Sequence, residues 1–319
     1  MSLGAAVLDD YQGVALASAD WASLKPQVEV TVFRDTLADL AAVAARLAPF
    51  EIVVAMRERT PFPQALIERL PKLKLLITTG KRNASIDVKA ATEKGVVVCG
   101  TEMLPYPTAE LAWGLILSLA RSIPREERGM RAGGWQTTLG VGLKGKTLAV
   151  LGLGNLGSQV ARIGKAFGME AIAWSQNLTA ERAQSAGAAL VAKEELFRRA
   201  DVLSIHLVLS ARSRGTVGAA ELALMKPSAY LVNTSRGPIV ERAALLAALE
   251  GRRLAGAALD VYDSEPLPAD DRLRKLDNVV LTPHLGYVTA ENYRLAYGQA
   301  VEDIRAFLDG KPLRVVSPA

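Results

Sequence analysis

Residues 147–157 read Thr147-Leu148-Ala149-Val150-Leu151-Gly152-Leu153-Gly154-Asn155-Leu156-Gly157, and this stretch decides the fold. The apolar run Leu148–Leu151 has the character of a buried parallel strand, and helix-compatible residues follow from Ser158 to Phe167. Between them stand three glycines spaced G-x-G-x-x-G. Gly152 permits a tight turn, Gly154 lets the main chain approach a pyrophosphate, and Gly157 lets helix and strand pack closely. The N-terminus of that helix offers unpaired N–H groups and the positive end of its dipole to phosphate oxygens, and Asn155 and Leu156, between the last two glycines, are counted among the cofactor-binding residues. The pattern reads as a dinucleotide site; the plainer alternative is a strand-to-helix turn with no ligand.

Outward from this point, apolar bursts alternate with helical patterns, as expected of parallel sheets covered by helices on both faces. Before it, strands are expected at Ala5–Leu8, Val28–Phe33, Ile52–Ala55, Leu73–Thr78 and Val96–Cys99, with helices at Asp39–Leu47 and Pro63–Leu70. A long amphipathic helix is expected from Thr108 to Met130. After the glycines, strands are expected at Ala171–Trp174, Val202–His206, Tyr230–Asn233, Leu254–Val261 and Val279–Thr282. A closing helix, Thr289 to Leu308, stops before Gly310 and Pro312. A chain of 319 residues exceeds what one hydrophobic core usually serves, so two domains are expected.

The net charge is +5, but the Lys and Arg are scattered among Asp and Glu rather than massed in one segment, which favours small anions over nucleic acid. Cys99 is the single cysteine, so no disulfide framework exists and a reducing, cytoplasmic setting is expected. No signal-peptide pattern opens the chain, and the longest apolar run, around Leu111 to Ala120, is too short for a bilayer. No metal-ligand cluster stands out.

In open α/β sheets, ligands bind outside the carboxyl ends of the strands. Three later strands are followed there by Thr234-Ser235-Arg236-Gly237, by Tyr262-Asp263-Ser264-Glu265-Pro266 and by Pro283-His284-Leu285-Gly286. An arginine, a carboxylate and a histidine on one rim suit a hydride transfer. The arginine fork holds a substrate carboxylate, the imidazole moves the accompanying proton, and the carboxylate orients the imidazole. Each also has a plainer reading: Arg236 as a surface residue of the next helix, Glu265 as a solvated turn residue. The chain has two histidines, and His284 is preferred to His206, which ends a strand and suits a bond to the backbone there.

These motifs resemble the D-2-hydroxyacid dehydrogenase family, which includes phosphoglycerate dehydrogenases and glyoxylate/hydroxypyruvate reductases. The likeness runs from about Leu75 to Leu308 and is most specific at the glycine fingerprint, Leu231–Gly237, Leu259–Pro266 and Thr282–Gly286. It implies a Rossmann domain, residues 101–287, inserted into a flavodoxin-like substrate domain made of residues 1–100 and 288–319, and a homodimer drawing much of its contact from Thr108 to Trp135. It implies that Arg236 binds the substrate carboxylate, Glu265 pairs with the histidine, and His284 is the acid/base. It makes Asp260 the partner of the nicotinamide carboxamide and sets Ser213 near the pyrophosphate and the His206-Leu207 segment beside the adenosine. Thr234, Ser235 and Gly286 fall in the matching motifs.

Two segments depart from the pattern. The strand Ala171–Trp174 ends in Ser175-Gln176-Asn177, with no acid for the adenosine ribose 2′-hydroxyl, so NAD and NADP are both open and weak discrimination is expected. The loop Gly80-Lys81-Arg82-Asn83 keeps the first of the family's two substrate-cradling glycines but has Arg82 at the second. Lys81 or Arg82 then favours a substrate with a second anionic group, unless both face solvent. The expected activity is NAD(P)-dependent interconversion of 2-oxo and D-2-hydroxy acids. The alternatives are a formate dehydrogenase-like enzyme, disfavoured by Glu265 where such enzymes carry glutamine, and a dinucleotide-sensing binding protein.

Overall fold

The computed structural model describes residues 2–318 and divides them into two compact units, Met1–Leu104 with Val288–Ala319 and Pro105–Tyr287. In the first unit the chain runs β1 (Leu3–Val7), β2 (Val28–Val32), α1 (Leu40–Leu47), β3 (Ile52–Ala55), α2 (Gln64–Ile67), β4 (Leu75–Thr78), α3 (Val88–Glu93) and β5 (Val97–Gly100). The strands pair in parallel in the order β2-β1-β3-β4-β5, the doubly wound order of flavodoxin-like sheets. β3 and β4 are buried on both faces, which is why their sequences are continuous apolar runs rather than alternating ones.

The second unit opens with α4 (Pro107–Ala120) and α5 (Ile123–Arg131). The single long helix expected over Thr108–Met130 is therefore two. The chain breaks at Ser122, which takes a left-handed backbone (φ 51°), and Pro124 in the next turn cannot continue the ladder of the first helix. Then follow β6 (Thr147–Leu151), α6 (Asn155–Ala166), β7 (Glu170–Trp174), α7 (Ala180–Ser185), β8 (Ala189–Leu190), α8 (Lys193–Arg199), β9 (Val202–Ile205), α9 (Ala219–Leu224), β10 (Tyr230–Asn233), α10 (Arg242–Glu250), β11 (Gly256–Leu259) and β12 (Val279–Leu281).

The sheet order β12-β11-β10-β9-β6-β7-β8 is the Rossmann order with one strand added beyond β11. All its pairings are parallel. β8, two exposed residues at the edge, has too little apolar pattern to be read from sequence. Glycine sets the spacing of the cover: a Cβ on Gly164 of α6 would lie 2.5 Å from the Leu148 side chain of β6. Trp113 of α4 donates from Nε1 to the Val160 carbonyl at 3.2 Å and stacks on Phe167, fixing α4 to α6.

The chain returns to the first unit for α11 (Ala290–Leu308), capped by the Thr289 hydroxyl. Tyr297, Ala300 and Ile304 of this helix are completely buried, and Tyr297 meets Trp21 edge to face. Beyond it the tail pairs antiparallel with the β5 edge, Val315 opposite Cys99, while Arg314 holds the buried Asp303 carboxylate at 3.0 Å. Among the described residues no helix is long and apolar enough to cross a membrane, and no cluster of His, Cys, Asp and Glu is arranged to hold a metal.

Candidate active site

The register aligns Leu151, Ile205, Asn233, Leu259 and Leu281 at the carboxyl ends of five neighbouring strands, so the loops that follow them share one rim. The glycine turn begins there. Gly152 has φ 98°, and a Cβ on it would lie 2.8 Å from the backbone of His206 and Leu207. Only glycine lets the two loops touch. Gly157 is tighter still, since its Cβ would stand 2.1 Å from the Gly152 carbonyl oxygen. Gly154, by contrast, faces open space and is exposed, and as N-cap of α6 it supplies no capping side chain. The N-terminal amides of Asn155 and Leu156 thus lie beside an open cradle, where a phosphate oxygen satisfies what a capping side chain otherwise would. A second observation agrees: the Thr234 hydroxyl, on the same rim, is buried without a hydrogen-bond partner. The residues present fit a dinucleotide.

Other residues expected at this ligand sort themselves by what already holds them. Ser175, Gln176 and Asn177 form the turn after β7, with Gln176 and Asn177 exposed and Leu178 N bonded to the Ser175 carbonyl. No acid stands there, and Arg182 sits in the following short helix. Ser213 bonds within its own loop, donating to the Val208 carbonyl at 2.7 Å and accepting from Ser210 N at 2.8 Å. Ser235 donates to the Leu207 carbonyl, tying the β9 and β10 loops together. His206 is bonded through Nε2 to Ser204 Oγ at 2.8 Å, and burial pushes its imidazole down to about 4. It therefore stays neutral near neutrality, with one ring nitrogen already engaged.

His284 is differently placed. Its Nδ1 lies 2.6 Å from Glu265 Oε2, while its Nε2 makes no hydrogen bond within the described chain. Glu265 is held in turn, Oε1 accepting from Tyr262 N at 2.9 Å. The His284 backbone is left-handed (φ 54°), a conformation costing on the order of 1 kcal/mol for a non-glycine residue. Asp260, completely buried, meets that cost by accepting from Thr282 Oγ1 at 2.6 Å, Leu285 N at 2.7 Å and Gly286 N at 2.9 Å. Burial nevertheless holds its carboxyl above the usual range. Tyr287 packs edge-on to the imidazole, centroids 5.5 Å apart.

The arginine loop adjoins this assembly. Asn233 shapes it, donating to the Arg236 carbonyl at 3.0 Å and accepting from Ser235 N at 3.0 Å. A Cβ on Gly237 would lie 2.2 Å from the Tyr262 carbonyl carbon, so the backbones around Arg236 and Tyr262 are in direct contact. Tyr262 is a member of the site that sequence reasoning missed. Its hydroxyl sits 2.9 Å from the Thr282 carbonyl and 3.0 Å from that of Leu259, stapling the ends of β11 and β12 beneath the Glu265–His284 pair.

In the first unit, Gly80 has φ 110° and its N–H donates to Thr101 Oγ1 at 3.0 Å. Asn83 is buried and structural, donating to the Arg57 carbonyl at 2.6 Å and to Thr78 Oγ1 at 3.0 Å. Lys81 is paired with Glu102 at 3.0 Å, and Arg82 is exposed. A cation not anticipated lies on this loop: a Cβ on Gly80 would stand 2.0 Å from Arg57 Nη1. Arg57 follows directly after Met56 at the end of β3. The carboxyl-end rule, applied to this sheet as to the other, points to it.

Residues 113–286 match the family described as D-isomer specific 2-hydroxyacid dehydrogenase, NAD binding domain. A glyoxylate reductase of Aeropyrum pernix is 41% identical over 256 residues, covering 77% of this chain and 76% of that protein. A D-3-phosphoglycerate dehydrogenase of Methanocaldococcus jannaschii is 39% identical over 263 residues, covering 81% of this chain but 50% of that longer protein. The crystal structure of a phosphoglycerate oxidoreductase from Vibrio cholerae O395 superposes with a TM-score of 0.92 at 39% identity, over 97% of this chain and 99% of that one. The chain belongs to the D-isomer-specific 2-hydroxyacid dehydrogenase family, of the phosphoglycerate dehydrogenase/glyoxylate reductase kind. Its second unit is accordingly a nucleotide-binding Rossmann domain, and hydride-transfer oxidoreduction is the general activity of this family.

Proposed function

We propose that this protein reduces a 2-oxo acid to the D-2-hydroxy acid with NADH or NADPH, or runs the reverse reaction, in the cytoplasm. The Glu265–His284 pair carries this reading, because it leaves Nε2 available on the rim that bears the glycine turn. Gly152, Gly154 and Gly157, with the amides opening α6, hold the pyrophosphate; bound there, the reduced nicotinamide supplies the hydride. Arg236 clamps the substrate carboxylate and polarises the adjacent carbonyl. His284 gives its Nε2 proton to the carbonyl oxygen as the hydride arrives at carbon. Glu265 accepts from Nδ1–H, fixing the tautomer and the orientation of the ring. Asp260 holds the turn that presents His284.

In the same proposal Ser175 and Asn177 meet the adenosine ribose, and without an acid there the two coenzymes are weakly distinguished. Gly80 and Arg82 contact the substrate, Lys81 of the same loop being engaged by Glu102 and Asn83 by the Arg57 carbonyl. Two copies of the chain form a dimer through the α4–α5 region, where Met130, Trp135 and Leu139 are exposed. The test is steady-state turnover of a panel of 2-oxo acids with each reduced coenzyme, followed by nicotinamide absorbance. Turnover with 2-oxo acids bears the proposal out; tight coenzyme binding with none across the panel makes the protein a sensor instead.

A further inference from the structure

The turn that presents His284 has two holds. One is Asp260, which accepts from Leu285 N and Gly286 N. The other is α4: Thr108, in the first turn of that helix, donates from Oγ1 to the Gly286 carbonyl at 2.8 Å. Gly286 is buried between the two, and a Cβ on it would lie 3.1 Å from Thr108 Oγ1 and 3.3 Å from Asp260 Oδ2. Its N–H is thus aimed by the carboxylate and its carbonyl by the hydroxyl.

The same end of α4 is tied to the coenzyme cradle. Gln159 lies one turn into α6, and its Nε2 donates to the Pro105 carbonyl at 2.9 Å and to the Asn155 carbonyl at 3.2 Å. Asn155 is the first residue of α6, the helix whose opening amides meet the phosphates in the proposed complex. Pro105 stands three residues before Thr108, and in the path between them, Pro105-Tyr106-Pro107, two of the three φ angles are fixed by proline rings. Farther along the two helices, the bond from Trp113 to the Val160 carbonyl keeps them in register. A displacement of the first turn of α6 therefore reaches Thr108 with little slack. From Thr108 it passes to the Gly286 carbonyl, two residues beyond His284.

We propose that Gln159 and Thr108 are positioning residues through which occupancy of the coenzyme cradle sets the orientation of His284. With phosphates on the α6 amides, the first turn of that helix is fixed, Gln159 holds the Pro105 carbonyl to it, and Thr108 holds the Gly286 carbonyl in turn. The imidazole is ordered by a ligand it does not touch. This rests on the reading of His284 as the proton donor and names two side chains that reading leaves unused.

Adenosine diphosphate ribose tests this without turnover, because it fills the cradle but brings no nicotinamide to the imidazole. The probe is the proton NMR signal of the imidazole Hε1, assigned to His284 by its loss in H284N. On saturation with ADP-ribose this signal shifts in the wild type and in T108S, which keeps the hydroxyl. In T108V and Q159M the ligand still binds, with affinity within about threefold of the wild type, and the shift falls by about half or more. In turnover, T108V lowers kcat per coenzyme site roughly fivefold, T108S restores it, and T108V costs less than about twofold in an H284N background. Gln159 is half-buried at the surface, so Q159M reports even where T108V lowers the melting temperature. A full shift in T108V or in Q159M, or none in the wild type with ADP-ribose bound, overturns the proposal. So does an equal loss of kcat from T108V with and without His284. A wild type that does not bind ADP-ribose fails earlier, at the coenzyme reading itself, and the binding isotherm tells the two failures apart.

Discussion

If Glu265 acts only through His284, a double-mutant cycle on the pair must be strongly non-additive. The Nδ1–Oε2 bond is 2.6 Å, with side chains 21% and 33% exposed. A charge-assisted hydrogen bond contributes about 1.5–3 kcal/mol, and this exposure puts the pair at the lower end. E265Q keeps the shape and an acceptor but removes the charge, so kcat falls roughly 10-fold while KM for the oxo acid stays nearly constant. H284N removes the proton donor itself and lowers kcat about 10²–10⁴-fold. In E265Q/H284N nothing remains for the carboxylate to orient, and kcat stays within about twofold of H284N. The assay is steady-state reduction of the best 2-oxo acid at saturating coenzyme. A double variant whose loss equals the product of the single losses refutes the reasoning, because Glu265 then acts on the reaction without His284.

Three further outcomes follow from the geometry. S175D places a carboxylate at the end of β7, where it accepts from a ribose 2′-hydroxyl and repels a 2′-phosphate. The NADH:NADPH ratio of kcat/KM then rises by at least about tenfold, and an unchanged ratio places the ribose elsewhere. G157A brings a Cβ to 2.1 Å from the Gly152 carbonyl oxygen, so the turn must open. Stability falls by about 1–3 kcal/mol and coenzyme affinity with it, as urea melts and coenzyme titration measure; native affinity in G157A contradicts the reading. For His206, burial lowers the folded-state value from 6.5 to about 4, so the unfolded chain binds the proton first as pH falls. Its contribution is fully present above 6.5 and lost on the way down to 4, a difference of about 3 kcal/mol. H206Q flattens that part of the stability profile, and a wild-type acid slope in H206Q excludes the histidine as its source.

Much of the nucleotide-binding unit is legible in sequence because its constraints are local. Gly152, Gly154 and Gly157 lie within six residues, and the strand and helix that give them meaning adjoin them. Arg236, Glu265 and His284 are readable for a related reason: each follows an apolar run that can only be an inner strand, and parallel topology brings such ends to one rim. What escapes depends on contacts distant in sequence. Arg57 precedes Gly80 by more than twenty residues, and only the β3–β4 pairing brings its guanidinium onto that glycine. Tyr262 reads as an ordinary aromatic until β12 delivers the Thr282 carbonyl to its hydroxyl. The break at Ser122 is hidden because the apolar and charged residues on either side keep a plausible helical pattern. Lys81 looks free for a substrate until folding supplies Glu102.

The placement of α11 has a consequence for biosynthesis. The unit that leaves the ribosome first is also the last to be finished. Its sheet is complete by Gly100, yet Tyr297, Ala300 and Ile304, which belong to its interior, are translated only after the whole of Pro105–Tyr287. At about 5–20 residues per second, that interval is roughly 10–40 s. For that time the nascent sheet lacks its final helix and β5 lacks the tail that pairs along its edge, while the Rossmann unit emerges as one uninterrupted stretch. The early segment is therefore where a chaperone has most to shield during translation.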